Sequence, residues 1–253
     1  MKPLIKSLML YLLIVGLLIV NVKHISDFPL SGYIIYTILI FVVIYSGESL
    51  FWGKRLAPGL LSGVALIATV FSLEILAGWI KVEGFDFNPV LLISLFIFQL
   101  LVAAGEEMSF RGYILKNLMG ETGIKIGISL SSFMFAAIHI PSFIYYGLDI
   151  SRGALAFIVV GLLGAIASII YLNYGLHSAI AFHFAWNFLQ YNVFNLSENH
   201  QGIMEISLLG QNLLTGGSYG PEAGILGFII VLFALVILIK KYAKSLNESN
   251  LVI

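Results

Sequence analysis

The sequence predicts an all-α fold: a polytopic transmembrane helical bundle of about eight spans around a polar cavity. Three observations carry that reading. The chain is 60% hydrophobic and 10% charged, with a mean hydropathy of +1.02, whereas a soluble domain is nearer half apolar and about a quarter charged. Its apolar stretches are long and continuous rather than alternating segments of about ten residues, so helices fit and a barrel does not. The polar exceptions gather on a few of those stretches. Net charge is zero and cysteine is absent. The first leaves no basic surface for nucleic acid; the second removes disulfides, thiolate nucleophiles and cysteine-based metal sites.

A spanning helix needs roughly 20 mainly apolar residues. The expected spans are 4–21, 30–48, 58–80, 88–105, 124–140, 153–172, 176–194 and 221–240. The opening "MKPLIKSLMLYLLIVGLLIVNV" has the basic start and apolar core of a signal peptide. No small-residue cleavage pattern follows, so it reads as an uncleaved first span. The connections "KHISDFP", "FWGKRLAPG", "KVEGFDFNP", "KNLMGETG" and "PSFIYYGLDISRG" hold the Gly, Pro and charged residues that end helices. The chain reads as one integral membrane domain, 1–253, with N-terminal spans over 1–85 and a core over 88–240.

With eight spans both termini share one side. That side collects Lys2, Lys6, Lys54, Arg55, Lys116, Lys125, Lys240, Lys241 and Lys244, against Lys23, Lys81 and Arg152 on the other. The positive-inside rule then places both termini in the cytoplasm of what reads as a prokaryotic cell membrane. The longest loop, 195–220, falls outside, and "TGGSYGPEAG" reads as a flexible, turn-rich approach to the last span.

An ionisable group at mid-membrane costs about 2.5–3.5 kcal/mol on insertion scales. The informative residues are therefore Glu74, the pair Glu106 and Glu107 with Arg111, His139, His177 and His183, and also Asn187. Glu107 and Arg111 are four apart and face each other on a helix, so they can neutralise one another. Glu106 lies about 100° around that helix and has no partner there. His183 and Asn187 share a face, as do Phe135 and His139. His177 is six residues from His183, off that face, and reads as structural. Glu74 reads as a paired or lining group. Singly, each has an ordinary explanation: a solvated cap for the glutamates, a packing hydrogen bond for the histidines. Jointly they supply what water activation needs. A carboxylate takes the proton, an imidazole orients the water or binds a metal, and a second imidazole with an amide binds an oxyanion. No serine stands in a G-x-S-x-G setting.

"EEMSFR" (106–111), "FAAIH" (135–139) and "HFAWN" (183–187), in that order on separate spans, resemble the CAAX-protease and bacteriocin-processing (Abi) family of intramembrane proteases. The likeness covers about residues 90–240. It implies an endopeptidase with a polar catalytic cavity, acting on membrane-bound or lipidated peptides in the bilayer. By the matched positions, Glu106 is the general base, His139 holds the water, His183 and Asn187 bind the oxyanion, and Glu107 with Arg111 positions the site. The preferred mechanism is glutamate-type with no required cofactor. Zinc on Glu106, His139 and His183 is the other option, although H-E-x-x-H is absent. Two further functions stay open: a bacteriocin self-immunity or binding protein on the same fold, and a proton-coupled transporter, against which no inverted repeat is found. The small residues of "GLLGAIAS" (161–168) suit helix contact within one chain or between two, so oligomeric state is unread.

A simple threading does not bring these motifs level. Counting from Asn88 on one side sets Glu106 about 27 Å deep, and counting from Ile124 on the other sets His139 about 23 Å deep, in a core about 30 Å thick. Convergence requires the fourth helix to continue past Arg111 toward Leu118.

Overall fold

A computed structural model of the chain describes residues 3–24, 30–197, 202–243 and 246. It is a helical bundle with a small two-stranded sheet on it. The helices are α1 (Pro3–His24), α2 (Ser31–Tyr45), α3 (Ala57–Leu76), α4 (Pro89–Glu107), α5 (Lys116–Thr122), α6 (Ile124–Ala137), α7 (Ile140–Tyr145), α8 (Ile150–Tyr174), α9 (Leu176–Asn187), α10 (Asn212–Thr215) and α11 (Ile225–Lys241). Among the described residues, four helical runs are long and apolar enough to cross a membrane: 57–76, 89–122, 124–145 and 150–174. The other four expected spans, those on α1, α2, α9 and α11, do not meet that criterion among the described residues, so eight crossings are an expectation and four meet it. Lys2 and Lys244, counted in the charge bias, lie outside the described residues.

The expected fourth span does not stop at 105. A π-helical stretch, Met108–Leu115, joins α4 to α5 in one run of 34 residues. Gly123, with φ 82°, reverses the chain directly into α6; this left-handed geometry is one that glycine adopts without penalty. The depth conflict disappears as a result. Glu106 lies 17 residues before Gly123 and His139 lies 16 after it, so at about 1.5 Å per residue they stand level on antiparallel arms. The expected spans, ending at 105 and resuming at 124, left 106–123 as a connection, whereas the chain stays helical to Thr122.

Helix ends follow from local chemistry. Asn88 caps α4, its Oδ1 accepting from Leu91 N, with Pro89 at the first helical position where no N–H is needed. Asp149 caps α8 by accepting from Ser151 N and Arg152 N. Gly175 ends α8, and α9 starts at the next residue. Next, α9 packs on α3 at backbone distance: Ser178 Oγ accepts from Gly59 N at 2.8 Å, and a Cβ on Gly63 would lie 2.5 Å from the Phe182 carbonyl oxygen. Small residues permit this approach where lipid supplies no hydrophobic drive between helices.

Two expectations about connections change. "IKVEGF" is a strand, β1 (Ile80–Phe85), paired antiparallel with β2 (Met204–Leu208) with Ile80 opposite Leu208 and a bulge at Val82/Gly84. Its alternation of apolar and charged residues is a strand period, which the search for spans overlooked. "TGGSYGPEAG" is built rather than loose. Gly216, Gly217 and Gly220 have positive φ, and Thr215, Tyr219, Glu222 and Ala223 are buried.

Candidate active site

The six residues singled out in the sequence line one cavity of about 220 Å³. Glu106, Glu107 and Arg111 come from the end of α4 and the π-helical stretch, His139 from the break between α6 and α7, and His183 and Asn187 from α9. The helix that carries Glu106 and Glu107 and the helix that carries His183 and Asn187 each widen directly after those pairs, at Met108 and at Phe188, where a second π-helical segment runs to Val193. Such widened turns recur at functional sites.

Glu107 and Arg111 form the expected pair. Arg111 Nη1 donates to Glu107 Oε1 at 2.8 Å, both side chains being 1% exposed. The guanidinium also donates from Nη2 to the Gly164 carbonyl at 2.9 Å and lies 4.4 Å over the Phe135 ring. Glycine at 164 matters here, because a Cβ would sit 3.2 Å from Nη2. The same Glu107 Oε1 accepts from His183 Nδ1 at 2.9 Å. An N–H on Nδ1 leaves Nε2 of the neutral ring as an acceptor, and Asn187 Nδ2 meets it at 3.1 Å. The expected helical pair of His183 and Asn187 is therefore a direct hydrogen bond.

His139 is set by the end of its own helix. Pro141 has no N–H and cannot continue α6, and His139 N turns to the Ala136 carbonyl. The freed Phe135 carbonyl accepts from His139 Nδ1 at 2.8 Å. Nε2 of the neutral ring is then an acceptor. The Phe135 ring lies between the two imidazoles, 4.9 Å from His139 and 6.0 Å from His183 between centroids. Phe135 thus links the "FAAIH" motif to Arg111 and His183.

Glu106 has no partner on its own helix, as the spacing indicated. Its Oε1 accepts from Tyr36 of α2 at 3.0 Å. Its Oε2 lies 3.9 Å from His183 Nε2 and has no hydrogen-bond partner among the described residues. Sequence reasoning missed Tyr36, and "YIIYTILIF" carries no signal beyond a tyrosine in an apolar run. It also passed over Glu222, which shares the cavity wall.

Two residues fall elsewhere. Glu74 is 1% exposed within α3 and is not on the cavity wall. The His177 ring lies tilted against Trp52 at 5.1 Å between centroids, with its Nδ1 3.2 Å from the Gly53 carbonyl. That fits its reading as structural.

Among the described residues, no three His, Asp or Glu side chains cluster so as to hold a metal ion. Three of the four imidazole nitrogens of His139 and His183 are engaged, with Phe135, Glu107 and Asn187. As arranged, Glu106, His139 and His183 do not fit a tetrahedral site.

The family model described as Rce1-like, type II CAAX prenyl endopeptidase Rce1-like, matches residues 88–189. This is the CAAX protease family that the motifs resemble. The match contains all six residues above, while Tyr36 and Glu222 lie outside it. Comparison with curated proteins returns no match. Together with the four long apolar helices, the family match supports a CAAX-type intramembrane endopeptidase in an integral membrane protein, with a peptide substrate met in the bilayer.

Proposed function

We propose that the chain hydrolyses peptide bonds of membrane-bound or lipidated peptides with water activated by Glu106 and His139. The observation that carries this reading is a buried Glu106 Oε2, with no hydrogen-bond partner among the described residues, in one cavity with the imidazoles of His139 and His183. A water there donates one hydrogen to Glu106 and the other to His139 Nε2, which directs its lone pair at a substrate carbonyl. Glu106 takes the proton as the oxygen–carbon bond forms. The protonated Glu106 then passes it to the leaving nitrogen as the carbon–nitrogen bond breaks. The second water hydrogen leaves the new carboxyl group and ends on the released amine, so the products are a carboxylate and an ammonium group and Glu106 is returned ionised.

The oxyanion formed between these steps needs donors in place before charge develops. With His183 neutral, the second N–H of Asn187 Nδ2 is the donor. His183 donates from Nε2 only as an imidazolium, and the carboxamide must then turn its oxygen to the ring. Glu107 and Arg111 fix the His183 ring. No metal takes part in this chemistry.

The test uses purified protein in liposomes carrying a lipidated peptide that ends in a CAAX sequence. Mass spectrometry should find two fragments whose masses sum to substrate plus one water. Glu106→Gln should suppress them, and treatment with a chelator should leave the rate unchanged. Loss of activity in chelator with recovery in zinc would overturn the metal-free mechanism. Cleavage that survives Glu106→Gln would overturn the role of Glu106. Comparing membrane peptides from cells carrying wild type or Glu106→Gln would then identify the natural substrate.

A further inference from the structure

Glu222 is a third carboxylate on the cavity wall, and the chemistry above gives it no task. It is 4% exposed and belongs to the built loop ahead of α11. Its Oε1 accepts from Trp186 Nε1 at 2.7 Å, and its Oε2 accepts from Gln190 Nε2 at 2.8 Å. One N–H donor on each oxygen suits an ionised carboxylate, since a neutral acid would set its own O–H against a donor. Gly220, with φ 108°, leaves the room: a Cβ there would lie 2.7 Å from Gln190 Nε2.

The two donors stand on opposite sides of a structural junction. Trp186 is in α9, next to Asn187 and three residues after His183. Gln190 is in the π-helical segment that begins at Phe188. A widened turn is a local departure from the ordinary helix, and gaining or losing one residue there rotates one side against the other by about 100°. A single carboxylate gripping both sides fixes that rotation.

We propose that Glu222 is a positioning residue. By spanning the junction at Phe188, it holds the rotation of α9 that presents His183 Nδ1 to Glu107 and the Asn187 amide to His183 Nε2. The proposal rests on the proteolytic reading for its kinetic consequence, but not for its structural one. Glu222→Gln keeps the size of the side chain and sets an amide N–H against one of the two donors. A reciprocal change, Glu222→Gln with Gln190→Glu, restores a donor–acceptor pair at that contact.

The experiment measures kcat and KM on the lipidated peptide in liposomes, together with ¹⁵N NMR of the Trp186 indole and the His183 imidazole. Glu222→Gln is expected to lower kcat about ten- to hundredfold, leave KM within about twofold, and shift both nitrogen signals. The reciprocal variant should recover most of the loss and return the His183 signal toward wild type. An unshifted His183 signal with kcat intact in Glu222→Gln would overturn the proposal. So would a fall in thermal stability alone, with full kcat per folded molecule, because that is a loop staple and nothing more. If wild type shows no Glu106-dependent cleavage, the proteolytic reading fails, and the His183 signal still decides the clamp. Should Glu222→Gln not fold, Trp186→Phe removes one donor and must shift the same His183 signal.

Discussion

Glu107 holds the His183 ring through a 2.9 Å hydrogen bond between Oε1 and Nδ1, while the same oxygen accepts from Arg111 at 2.8 Å. One buried carboxylate thus joins two segments that are 76 residues apart in sequence. Because Glu107 and Arg111 are each 1% exposed, solvent does little to soften the loss of either. Arg111→Met leaves the carboxylate buried with no cation. The expected cost is about 3–5 kcal/mol, the range for breaking a buried pair, read as a lower unfolding midpoint in detergent. A shift within experimental error would mean that the pair is not buried as described.

For catalysis, the sharpest separation is between Glu106 and its neighbour Tyr36. Glu106→Gln removes the proposed base and should lower kcat by about 10²–10⁴, the usual range for general acid–base catalysis. Tyr36→Phe removes only the hydrogen bond to Oε1. It should cost about tenfold, as expected for about 1.5 kcal/mol in a hydrogen bond to a charged group. Equal losses in the two variants would contradict separate roles.

Asn187→Ala takes away both the donor to His183 Nε2 and the proposed oxyanion donor. The expectation is a loss of about 10²–10³ in kcat with little change in KM. A rise in KM at constant kcat would make Asn187 a substrate-binding group instead.

The contact of α9 with α3 is tested by Gly63→Ala. The new Cβ would lie 2.5 Å from the Phe182 carbonyl oxygen, and this backbone oxygen can give way only by moving the helix that carries His183. A cost of about 1–3 kcal/mol, typical of overpacking, should appear in thermal unfolding, accompanied by reduced activity. Unchanged stability would show that the helices are further apart.

Asp149 offers a pH test outside the spanning segments. The Ser151 hydroxyl, the Arg152 N–H and the Arg152 side chain hold its carboxyl well below the usual carboxylate range. A folded-state value below the unfolded one contributes stability above the unfolded value, and that stability is lost as pH falls through the folded value. The protection factors of the amides in the first turn of α8, measured against the intrinsic exchange rate at each pH, should therefore be high at neutral pH and fall in strong acid. In Asp149→Ala they should be low throughout. A variant with wild-type protection would remove the cap from the account.

Much of the site was legible because it is written at short range. The Glu107–Arg111 and His183–Asn187 pairs follow from four-residue spacing, and both are hydrogen-bonded. The depth of His139 was not legible by counting from span ends, because the run continues through Met108–Leu115 and turns only at Gly123. Tyr36 and Glu222 escaped notice for another reason. A tyrosine in an apolar helix and a glutamate in a glycine-rich loop gain meaning only from partners 70 and 32–36 residues away.

By itself, the sequence determined the all-helical membrane class, since only helices and closed barrels satisfy the backbone in a bilayer and its long continuous apolar runs do not suit a barrel. It also determined which polar side chains share a helical face, since those relations repeat every few residues. Tertiary structure alone decided which oxygen of Glu106 meets Tyr36, which nitrogen of His183 faces Glu107, and what pairs with the strand at Ile80–Phe85. Those facts depend on contacts between segments far apart in the chain, and local spacing places no constraint on such contacts.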